Sequence, residues 1–484
     1  MLDQIFKAYD VRAVYPEPFN ETAAWKVGRA TGQFIQQKVA DGAGSSEIDG
    51  LKRPTTIVVS QDMRPSSPAL ATALSNGLRD SGMDVIDVGM CDTSFIYFAI
   101  NHLSAAGGIQ VTASHNPIEY NGLKISGPLA KPIGATTGLN DIRDIAKTLD
   151  EPTTSQVEAS DSADTSDQRG DYQEMDLWAP YKAHVLQFHK QPAAHDRPLR
   201  VVIDASNGMA GKLVPKVFEG VPGIEIIPIN FEITGSFVHE PNPLVAENMR
   251  PTQEAVIAHG ADLGACFDGD ADRCILCDEK GQAIGCDHLT AMLVDHFAKG
   301  NAGTSIVYDL RSSKALEEAI VSHGCKPVKG RVGHVFMKAA LRETQGVFGG
   351  ELSGHFYFRD NFYADSGAIA FAAVLTVLGQ NTTPLSELIE PFKKYPQSGE
   401  INFRVEDKEK VLATLEAKYG GEATIDKLDG VSIDNWDNAG WWFNVRASNT
   451  EPLLRLNTEA KDQATLDAIL SELKPELGEE AQGH

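Results

Sequence analysis

The chain has 484 residues, of which 42% are hydrophobic and 23% charged, the composition of an ordinary soluble globular protein of three or four domains. Its formal net charge of −24 argues against a long electropositive surface for nucleic acid or anionic lipid, so an anionic substrate would need a local cluster of basic residues. The six cysteines are expected to be buried free thiols. With no apolar stretch long enough to cross a bilayer and no secretion signal at the N-terminus, we expect a cytoplasmic protein.

The first 149 residues alternate strands and helices, which indicates an α/β layer. The chain opens with an extended segment, Phe6–Arg12, and the helix that follows carries Ala24, Val27 and Phe34 on one face. The later elements predicted in this region are strand Thr56–Ser60, a helix from about Pro68 to Ser81, strand Asp84–Val88 and strand Gly107–Val111.

Residues 150–176 break this alternation. They hold nine acidic residues and one basic residue, with few large apolar side chains. Such a stretch buries too little apolar surface to order itself, so we expect an acidic flexible linker or surface loop here.

Two more α/β regions are predicted at 177–299 and 300–397, followed by a smaller α+β domain at 398–484. The second region contains strands Leu199–Asp204, Ile224–Ile229, Leu263–Phe267 and Cys274–Asp278. The third contains strands Ser305–Asp309 and Val347–Glu351 and helices Ser313–His323, Gly333–Thr344 and Asp365–Leu378. The last contains strands Glu400–Val405, Trp441–Val445 and Leu453–Asn457 and helices Lys408–Tyr419 and Gln463–Leu473. The predicted fold is therefore three similar α/β domains plus a smaller C-terminal α+β domain.

The segment Val111–Pro117 places a serine on a tight turn at the end of a buried strand. Pro117 pushes Asn116 into extended geometry, so no regular helix begins directly after the turn. A serine held in this way, Ser114, suits a nucleophile or a phosphate carrier. The alternative is that Ser114, His115 and Asn116 only bond to the local backbone.

The sequence Asp268-Gly-Asp-Ala-Asp-Arg273 has three carboxylates at alternate positions between two apolar strands. Asp268, Asp270 and Asp272 can converge on one hard cation, and carboxylates are rarely placed beside buried strands unless they are paired or bind a metal. An acidic surface turn is the alternative. An EF-hand is disfavoured, because Arg273 stands where that loop needs glycine and because the flanking segments are strands.

Two later loops are rich in polar residues. Glu351, Ser353 and His355 project from a glycine-rich loop and together offer donors and acceptors suited to sugar hydroxyls, although a β-bulge with incidental polar residues is the alternative. The segment 446–452 combines the guanidinium of Arg446 with hydroxyl and amide groups, which suits a phosphate monoester. An ordinary loop that ends at Pro452 is the alternative there.

Taken together, these segments resemble the α-D-phosphohexomutase superfamily and, within it, the bacterial phosphomannomutase/phosphoglucomutase branch. Six motifs occur in the family's order along nearly the whole chain. They are FKAYDVR at residues 6–12, TASHNP at 112–117, NGLK at 121–124, DGDADR at 268–273, GELSGH at 350–355 and RASNTEP at 446–452.

The resemblance implies a fold of four domains around a central active-site cleft and a role for each motif. Ser114 would be the phosphoserine, and Mg²⁺ would be bound by Ser114, Asp268, Asp270 and Asp272. The residues expected to be catalytic with Ser114 are Arg12, His115, Lys124 and His355. The residues expected to bind the substrate are Tyr9, Arg273, Arg311, His334, Glu351, Ser353, Arg446, Ser448, Asn449 and Thr450.

The chain also departs from the family pattern in places. Ala13, Arg311 and Val332 stand where relatives commonly have glycine, lysine and threonine. Ala271 replaces a glycine of the aspartate motif, and its methyl group is tolerable only if the residue keeps a negative φ, as we therefore expect. None of these changes removes a predicted catalytic group.

The resemblance implies a mutase that interconverts hexose 6-phosphate and hexose 1-phosphate, with mannose or glucose or both as the sugar. A hexose 1,6-bisphosphate would be the intermediate and the activator, and His355, Lys124 or Arg12 with Tyr9 would handle the hydroxyl proton. The expected partners are sugar phosphates, without nucleic acid or membrane, in a monomer or small homo-oligomer. The alternatives are a phosphoglucosamine mutase, which Asn449 disfavours, and a non-catalytic sugar-phosphate binding relative, which the intact Ser114 and aspartates disfavour.

Overall fold

A computed structural model describes residues 2–158, 169–190, 196–421, 423–448 and 453–481. The chain forms two compact units, each made of two chain segments. The first unit comprises Met1–Ile284 and Ser353–Ser386, and the second comprises Gly285–Leu352 and Glu387–His484. The boundary between the units therefore falls inside the glycine-rich loop that was predicted to bind sugar.

The strands lie close to the predicted positions in most of the chain. In chain order they are β1 Val11–Val14, β2 Arg53–Gln61, β3 Asp84–Met90, β4 Ala105–Val111, β5 Tyr120–Ser126, β6 Tyr172–Glu174, β7 Leu199–Asp204, β8 Ile224–Ile229, β9 Leu263–Phe267, β10 Cys274–Asp278, β11 Ser305–Asp309, β12 Lys326–Gly330, β13 Phe348–Gly350, β14 Phe356–Phe358, β15 Ala364–Asp365, β16 Gln397–Arg404, β17 Thr424–Asp426, β18 Val431–Asn435, β19 Trp441–Ala447, β20 Leu453–Ala460 and β21 Glu479–Ala481.

The helices include several that the sequence pattern did not reveal. In chain order they are α1 Leu2–Ile5, α2 Glu21–Asp41, α3 Ser46–Asp49, α4 Ser67–Asp80, α5 Thr93–Leu103, α6 Asn140–Thr148, α7 Thr154–Glu158, α8 Trp178–Leu186, α9 Ala210–Phe218, α10 Ala246–His259, α11 Cys286–Ala298, α12 Lys314–Ser322, α13 His334–Glu343, α14 Gly367–Gly379, α15 Leu385–Ile389, α16 Lys408–Tyr419 and α17 Gln463–Leu477. Those not predicted include α5, α6 and α11.

The first unit contains two sheets with a shared plan. In the first sheet the strand order is β1-β5-β4-β2-β3-β6, in which β2 runs parallel to β3 and β4 while β5 returns antiparallel to β4. In the second sheet the order is β10-β9-β7-β8, in which β7 runs parallel to β8 and β9 while β10 returns antiparallel to β9. In each sheet, the loop after one parallel strand, β4 or β9, leads into an antiparallel strand, β5 or β10, that pairs with it.

The second unit contains a parallel core and an antiparallel C-terminal sheet. Strand β11 lies between β12 and β13 and is parallel to both. The C-terminal sheet has the order β17-β18-β19-β20-β16-β21, and helices α16 and α17 pack on its buried apolar face. The predicted fold class, α/β with a C-terminal α+β domain, is confirmed.

Helices α2 and α4 illustrate how the sequence determines the packing beside the first sheet. The side chain of Asn20 caps α2 by accepting the backbone N–H of Ala23 at 3.0 Å. The two helices approach so closely that a Cβ atom at Gly77 would lie 2.0 Å from the carbonyl oxygen of Trp25. Glycine at this position therefore allows backbone-to-backbone contact in the core of the first unit.

The predicted acidic linker is ordered at both ends. Helix α7 packs against α4 through the buried Val157, and β6 pairs parallel with β3. The prediction of a linker is therefore wrong for these ends. A few side chains are enough to order a short segment when it can pack on an existing helix or pair with the edge of an existing sheet. The middle of the segment, 159–168, lies outside the described residues.

All six cysteines are buried and none forms a disulfide, as the sequence predicted. Among the described helices, none combines the length and apolar character needed to cross a membrane.

Candidate active site

Two loops meet in the first unit, and each follows the parallel strand of its sheet that pairs with an antiparallel neighbour. The loop after β4 carries Ser114, and the loop after β9 carries Asp268. The hydroxyl of Ser114 donates to a carboxylate oxygen of Asp268 at 3.0 Å. The loops are so close that a Cβ atom at Gly269 would lie 2.4 Å from the carbonyl oxygen of Ser114. The carboxyl ends of parallel strands thus bring the predicted phosphoserine to the predicted metal-binding loop.

The backbone of Ser114 adopts an unusual conformation. Its φ of 53° lies in the left-handed region, which is uncommon for residues other than glycine. The side-chain oxygen of Thr112 accepts the N–H of Ser114 at 2.9 Å. Backbone of this kind needs support from its surroundings and is frequent at functional sites.

Arg64 provides part of that support and was not identified from the sequence. Its guanidinium donates to the carbonyl oxygens of Ser114, Asn116, Pro117 and Tyr120 at 2.6–3.0 Å. Its Nε pairs with Asp62 at 3.1 Å, and both side chains are fully buried. Burial lowers the pKa of Arg64, although Asp62 acts in the opposite direction. One buried arginine therefore holds the loop that carries the serine at four points.

The three aspartates of the second loop are buried, and Lys124 contacts two of them. Its ammonium lies 2.6 Å from oxygens of both Asp270 and Asp272. Burial works against the charge on Lys124, but the carboxylates outweigh it and raise its pKa. Burial also opposes ionisation of Asp270 and Asp272, yet Lys124 lowers the pKa of both. The pKa of Asp268 is raised well above its ordinary value by burial and by the two neighbouring carboxylates.

The aspartate loop fits a divalent cation. Asp268, Asp270 and Asp272 each offer a carboxylate oxygen, and these oxygens lie within 4.8 Å of one another. A second oxygen of Asp270, Oδ1, is buried without a hydrogen-bond partner among the described residues. All three residues offer carboxylate oxygens, so the donor set suits a hard cation such as Mg²⁺.

Arg12 and His115 lie close to Ser114 in the same unit. Arg12, on β1, donates to the side-chain oxygen of Asn116 at 2.6 Å and also pairs with Asp10. The pKa of His115 is lowered well below its ordinary value, by burial and by the positive charges of Arg273, Arg12 and Lys124. The imidazole is therefore neutral at physiological pH.

Arg273, His355, Ser353 and Tyr9 complete the predicted residues of the first unit. Arg273 forms a backbone bridge with His355, and its backbone N–H donates to Asp268 at 3.2 Å. His355 Nε2 lies 3.4 Å from Asp272, and its Nδ1 hydrogen-bonds the hydroxyl of Ser353 at 2.8 Å. Tyr9 lies in the bend before β1. The aspartate loop and the glycine-rich loop, which are distant in sequence, thus meet at Asp272.

The second unit holds Arg311, Glu351 and His334. Arg311 follows β11, is buried, and pairs with Asp309 at the end of that strand. Glu351 follows β13 and accepts the N–H of Gly333 at 2.9 Å, next to His334 at the start of α13. Asp309 also accepts the N–H of Leu352 at 3.3 Å. The ends of β11 and β13 therefore place these predicted binding residues at one edge of the parallel core.

The predicted phosphate loop begins at the end of β19. Arg446 pairs with Glu400 at 2.8 Å, and the N–H of Ser448 donates to the carbonyl of Leu453 at 2.9 Å. Arg455 donates to the hydroxyl of Ser448 at 3.4 Å. Asn449 and Thr450 lie outside the described residues.

Ala271 corrects one expectation. It is fully buried and has a φ of 57°, although its methyl group led us to expect a negative φ. The carbonyl of Asp268 accepts its N–H at 3.1 Å, in the tight turn that aims the three aspartates at one point. The geometry of the turn therefore overrides the local preference of alanine.

Sequence reasoning also missed Thr93 and Glu400. Thr93, the first residue of α5, donates to Asp270 at 2.5 Å and links a third loop to the aspartates. Glu400, on β16, lies among the arginines of the second unit. Arg64, in Asp62-Met-Arg64, could have been suspected because it follows a buried strand as the aspartates do. Neither Thr93 nor Glu400 carries such a local signal.

Comparison with protein families matches four models along the chain. They are described as phosphoglucomutase/phosphomannomutase alpha/beta/alpha domain I at residues 3–153, domain II at 179–281, domain III at 286–395 and the C-terminal domain at 400–475.

Individual proteins match over almost the entire chain. A phosphomannomutase of Salmonella montevideo is 39% identical over 469 residues, covering 95% of this chain and 96% of the relative. A phosphomannomutase of Escherichia coli K12 is 38% identical with the same coverage. A crystal structure of a phosphoglucomutase/phosphomannomutase family protein from Burkholderia thailandensis superimposes with a TM-score of 0.82 at 30% identity, covering 98% of this chain and 96% of that one.

Proposed function

The chain belongs to the phosphoglucomutase/phosphomannomutase family and is a hexose phosphate mutase, and we propose that it moves a phosphoryl group between the 1- and 6-positions of mannose or glucose through Ser114. The observation that carries this proposal is that the hydroxyl of Ser114 lies 3.0 Å from Asp268, which belongs to the loop of three buried carboxylates. A serine beside such a loop, with Lys124 next to two of its carboxylates, is equipped to carry and transfer a phosphoryl group.

The proposed reaction consists of two transfers of the same kind. In the first, the bond between phosphorus and the oxygen of Ser114 breaks while a bond forms between phosphorus and the free hydroxyl oxygen of the hexose phosphate. The sugar hydroxyl loses its proton to a base, and the oxygen of Ser114 takes up a proton. The product is a hexose 1,6-bisphosphate. After the sugar reverses its orientation, the hydroxyl of Ser114 loses its proton as it accepts the other phosphoryl group, and the leaving sugar oxygen takes up a proton. Serine thereby divides an exchange between distant hydroxyls into two in-line steps.

The charged groups of the first unit stabilise the transferring group. Lys124 is held in its protonated form by the aspartates beside it, so it can neutralise phosphoryl oxygens. Asp268, Asp270 and Asp272 would hold Mg²⁺, which when bound supplies positive charge next to those oxygens. His115 is neutral and can accept or donate a hydrogen bond without adding charge.

Some residues of the second unit are suited to groups of a sugar phosphate that do not react. Arg446 and the segment after it are suited to the non-reacting phosphate, because a guanidinium pairs with phosphate oxygens bidentately whichever carbon carries the group. Glu351 is suited to sugar hydroxyls. This activity on soluble sugar phosphates, with free buried thiols, is consistent with a cytoplasmic enzyme.

A coupled assay tests the function. Mannose 1-phosphate and glucose 1-phosphate should each be assayed as substrates with a hexose 1,6-bisphosphate activator. Glucosamine 1-phosphate should be assayed in the same way, as the substrate of the alternative function. Active protein should carry one phosphoryl group on Ser114, seen by intact mass before and after phosphatase treatment. Ser114→Ala should abolish turnover, whereas Ser471→Ala, at an exposed helix position, should leave it unchanged. Full activity without a phosphoryl group on Ser114 would overturn the proposal.

A further inference from the structure

Three guanidinium groups of the second unit converge on one carboxylate. Arg446 and Arg311 lie 2.8 and 3.0 Å from Oε2 of Glu400. Arg455 lies 3.2 Å from Oε1 of the same residue. Glu400 reaches this position from β16, at the point where the pairing of β16 with β20 shifts register. Both carboxylate oxygens are thus engaged by arginines from three different strands or loops.

Without Glu400, these arginines would face one another. Arg446 on β19 and Arg455 on β20 are direct cross-strand partners, an arrangement in which like charges repel. Asp309 offsets the charge of Arg311. Burial opposes ionisation of Glu400, but the three arginines outweigh it and lower its pKa. Glu400 therefore bears a negative charge at neutral pH and supplies the anion that this cluster requires.

Exposure distinguishes the carboxylate from its partners. The side chains of Arg446 and Arg311 are each 8% exposed, whereas that of Glu400 is 28% exposed. Solvent therefore reaches Glu400 more readily than the guanidiniums it covers. Carboxylate and phosphate oxygens are alternative partners for the same guanidinium fork. A phosphate dianion that pairs with Arg446 meets Glu400 as a competitor of like charge.

We propose that Glu400 is a built-in competitor of the substrate phosphate, whose carboxylate holds Arg446 and Arg311 until a sugar phosphate displaces it. This inference rests on the proposed function, in which Arg446 binds the non-reacting phosphate. It assigns Glu400 as a positioning residue that keeps the arginines ordered between ligands. It also explains how a phosphate can leave the arginines midway through the reaction, when the bisphosphate must reverse, because Glu400 takes its place.

The test is Glu400→Gln, which keeps the shape of the side chain and removes its charge. Inorganic phosphate is the probe, as a competitive inhibitor of turnover of the 1-phosphate substrate. We expect the inhibition constant and KM to fall about two- to fivefold, the effect of one partly exposed ion pair, while kcat stays level or falls because release becomes slower. Glu406→Gln, at an exposed position beyond the same strand, is the matched control. Unchanged or weaker phosphate inhibition in Glu400→Gln would overturn the inference.

A second variant covers the case in which Glu400→Gln does not fold. Glu400→Asp keeps the charge but moves it away from the arginines by the length of one methylene group. The inhibition constant of phosphate should therefore fall by a smaller factor than in Glu400→Gln. Weaker phosphate inhibition in this variant would also overturn the inference. Arg446→Ala distinguishes failure of the proposed function: if it leaves phosphate inhibition unchanged, Arg446 does not bind phosphate. If it abolishes inhibition while neither Glu400 variant tightens it, only the role of Glu400 is wrong.

Discussion

The hydroxyl of Ser114 lies 3.0 Å from Asp268, although the two residues are 154 positions apart in the chain. The distance depends on two sheets in which the parallel strands β4 and β9 end at the same place. It also depends on Gly269, where any side chain would strike the carbonyl of Ser114. The serine and the three carboxylates therefore form one chemical site, and substitutions in either loop should affect the same step.

The first prediction concerns the metal. Asp270→Asn removes one ligand charge and weakens the contacts with Lys124 and Thr93, while keeping nearly the same volume. Transfer should fall at least about tenfold and need more Mg²⁺ for half-maximal activity. Turnover across a Mg²⁺ titration measures both. Asp360→Asn, at an exposed surface position, should behave as wild type. An unchanged Mg²⁺ requirement would show that the aspartate loop is an acidic turn and not a metal site.

The second prediction concerns Arg64. Arg64→Lys keeps the charge beside Asp62, but its single ammonium cannot reach the four carbonyls that the guanidinium joins. The serine loop should loosen, lowering kcat by about ten- to a hundredfold while KM changes little, because Arg64 is not expected to touch substrate. Steady-state kinetics and the rate of Ser114 phosphorylation by bisphosphate measure this. Arg53→Lys, an exposed arginine on β2, is the control. A stability loss with unchanged kcat would mean that Arg64 serves packing alone.

The third prediction concerns Ala271. With φ at 57°, its Cβ strains the turn, and glycine would relieve that strain. Ala271→Gly should therefore stabilise the first unit by about 1 kcal/mol, after allowance for the greater freedom of glycine in the unfolded chain. Ala417→Gly, in the exposed face of helix α16, should destabilise by a similar amount. Thermal and denaturant unfolding compare the two. Destabilisation by both substitutions would show that the turn favours the methyl group.

The fourth prediction is a pH dependence that originates at Glu459. This carboxyl is fully buried, and it accepts the N–H of Lys314 at 2.9 Å and the indole N–H of Trp442 at 2.8 Å. Burial raises its pKa from 4.5 to about 7. The folded state therefore binds the proton more tightly than the unfolded state, so stability should fall as pH rises from about 4.5 to about 7.

The substitution Glu459→Gln isolates this contribution. Glutamine resembles the protonated acid, so the free energy of unfolding of the variant should not depend on this titration. The difference in that free energy between variant and wild type should therefore favour the variant more at pH 8 than at pH 5, by on the order of 3 kcal/mol. Other titrating groups affect both proteins and cancel in the difference. Thermal unfolding at the two pH values measures it. An equal difference between variant and wild type at both values would contradict the assignment.

The sequence indicated the strands before Ser114 and Asp268 because each is a short apolar run that ends in polar residues. It did not indicate β5, since Asn121-Gly122 has the composition of a turn. In the structure Gly122 is a strand residue with no room for a side chain, because a Cβ atom there would lie 2.1 Å from the carbonyl of Val11. Helix α5 was missed because Thr93–Ile100 is buried on every side and shows no amphipathic period.

The supporting residues of the site were missed for a related reason. Arg64 contacts carbonyls at least 50 positions away, and Glu400 meets Arg446 across 46 positions. Neither residue has neighbours in sequence that share its task. Residues that bind a ligand directly occur here in short sequence motifs. The residues that position them lie far away in sequence and come close only in the folded chain.

The last prediction concerns Arg446 itself. Arg446→Ala removes a bidentate, charge-assisted contact with phosphate, worth roughly 1.5–3 kcal/mol, which corresponds to about a ten- to hundredfold loss. The fold should survive, because Glu400 still pairs with Arg311 and Arg455. Since the phosphate at Arg446 does not react, kcat/KM should fall for 1- and 6-phosphate substrates alike, while Ser114 stays phosphorylated in the isolated protein.

Assays in both directions, together with intact mass, measure the effect of Arg446→Ala. Arg404→Ala, an exposed arginine at the end of β16, controls for the loss of positive charge from the same sheet. A mutase must bind both phosphate isomers with the sugar in opposite orientations. A group that contacts only the phosphate can bind both isomers. A loss confined to one isomer would therefore show that Arg446 recognises one orientation of the sugar and that another group binds the phosphate in the other.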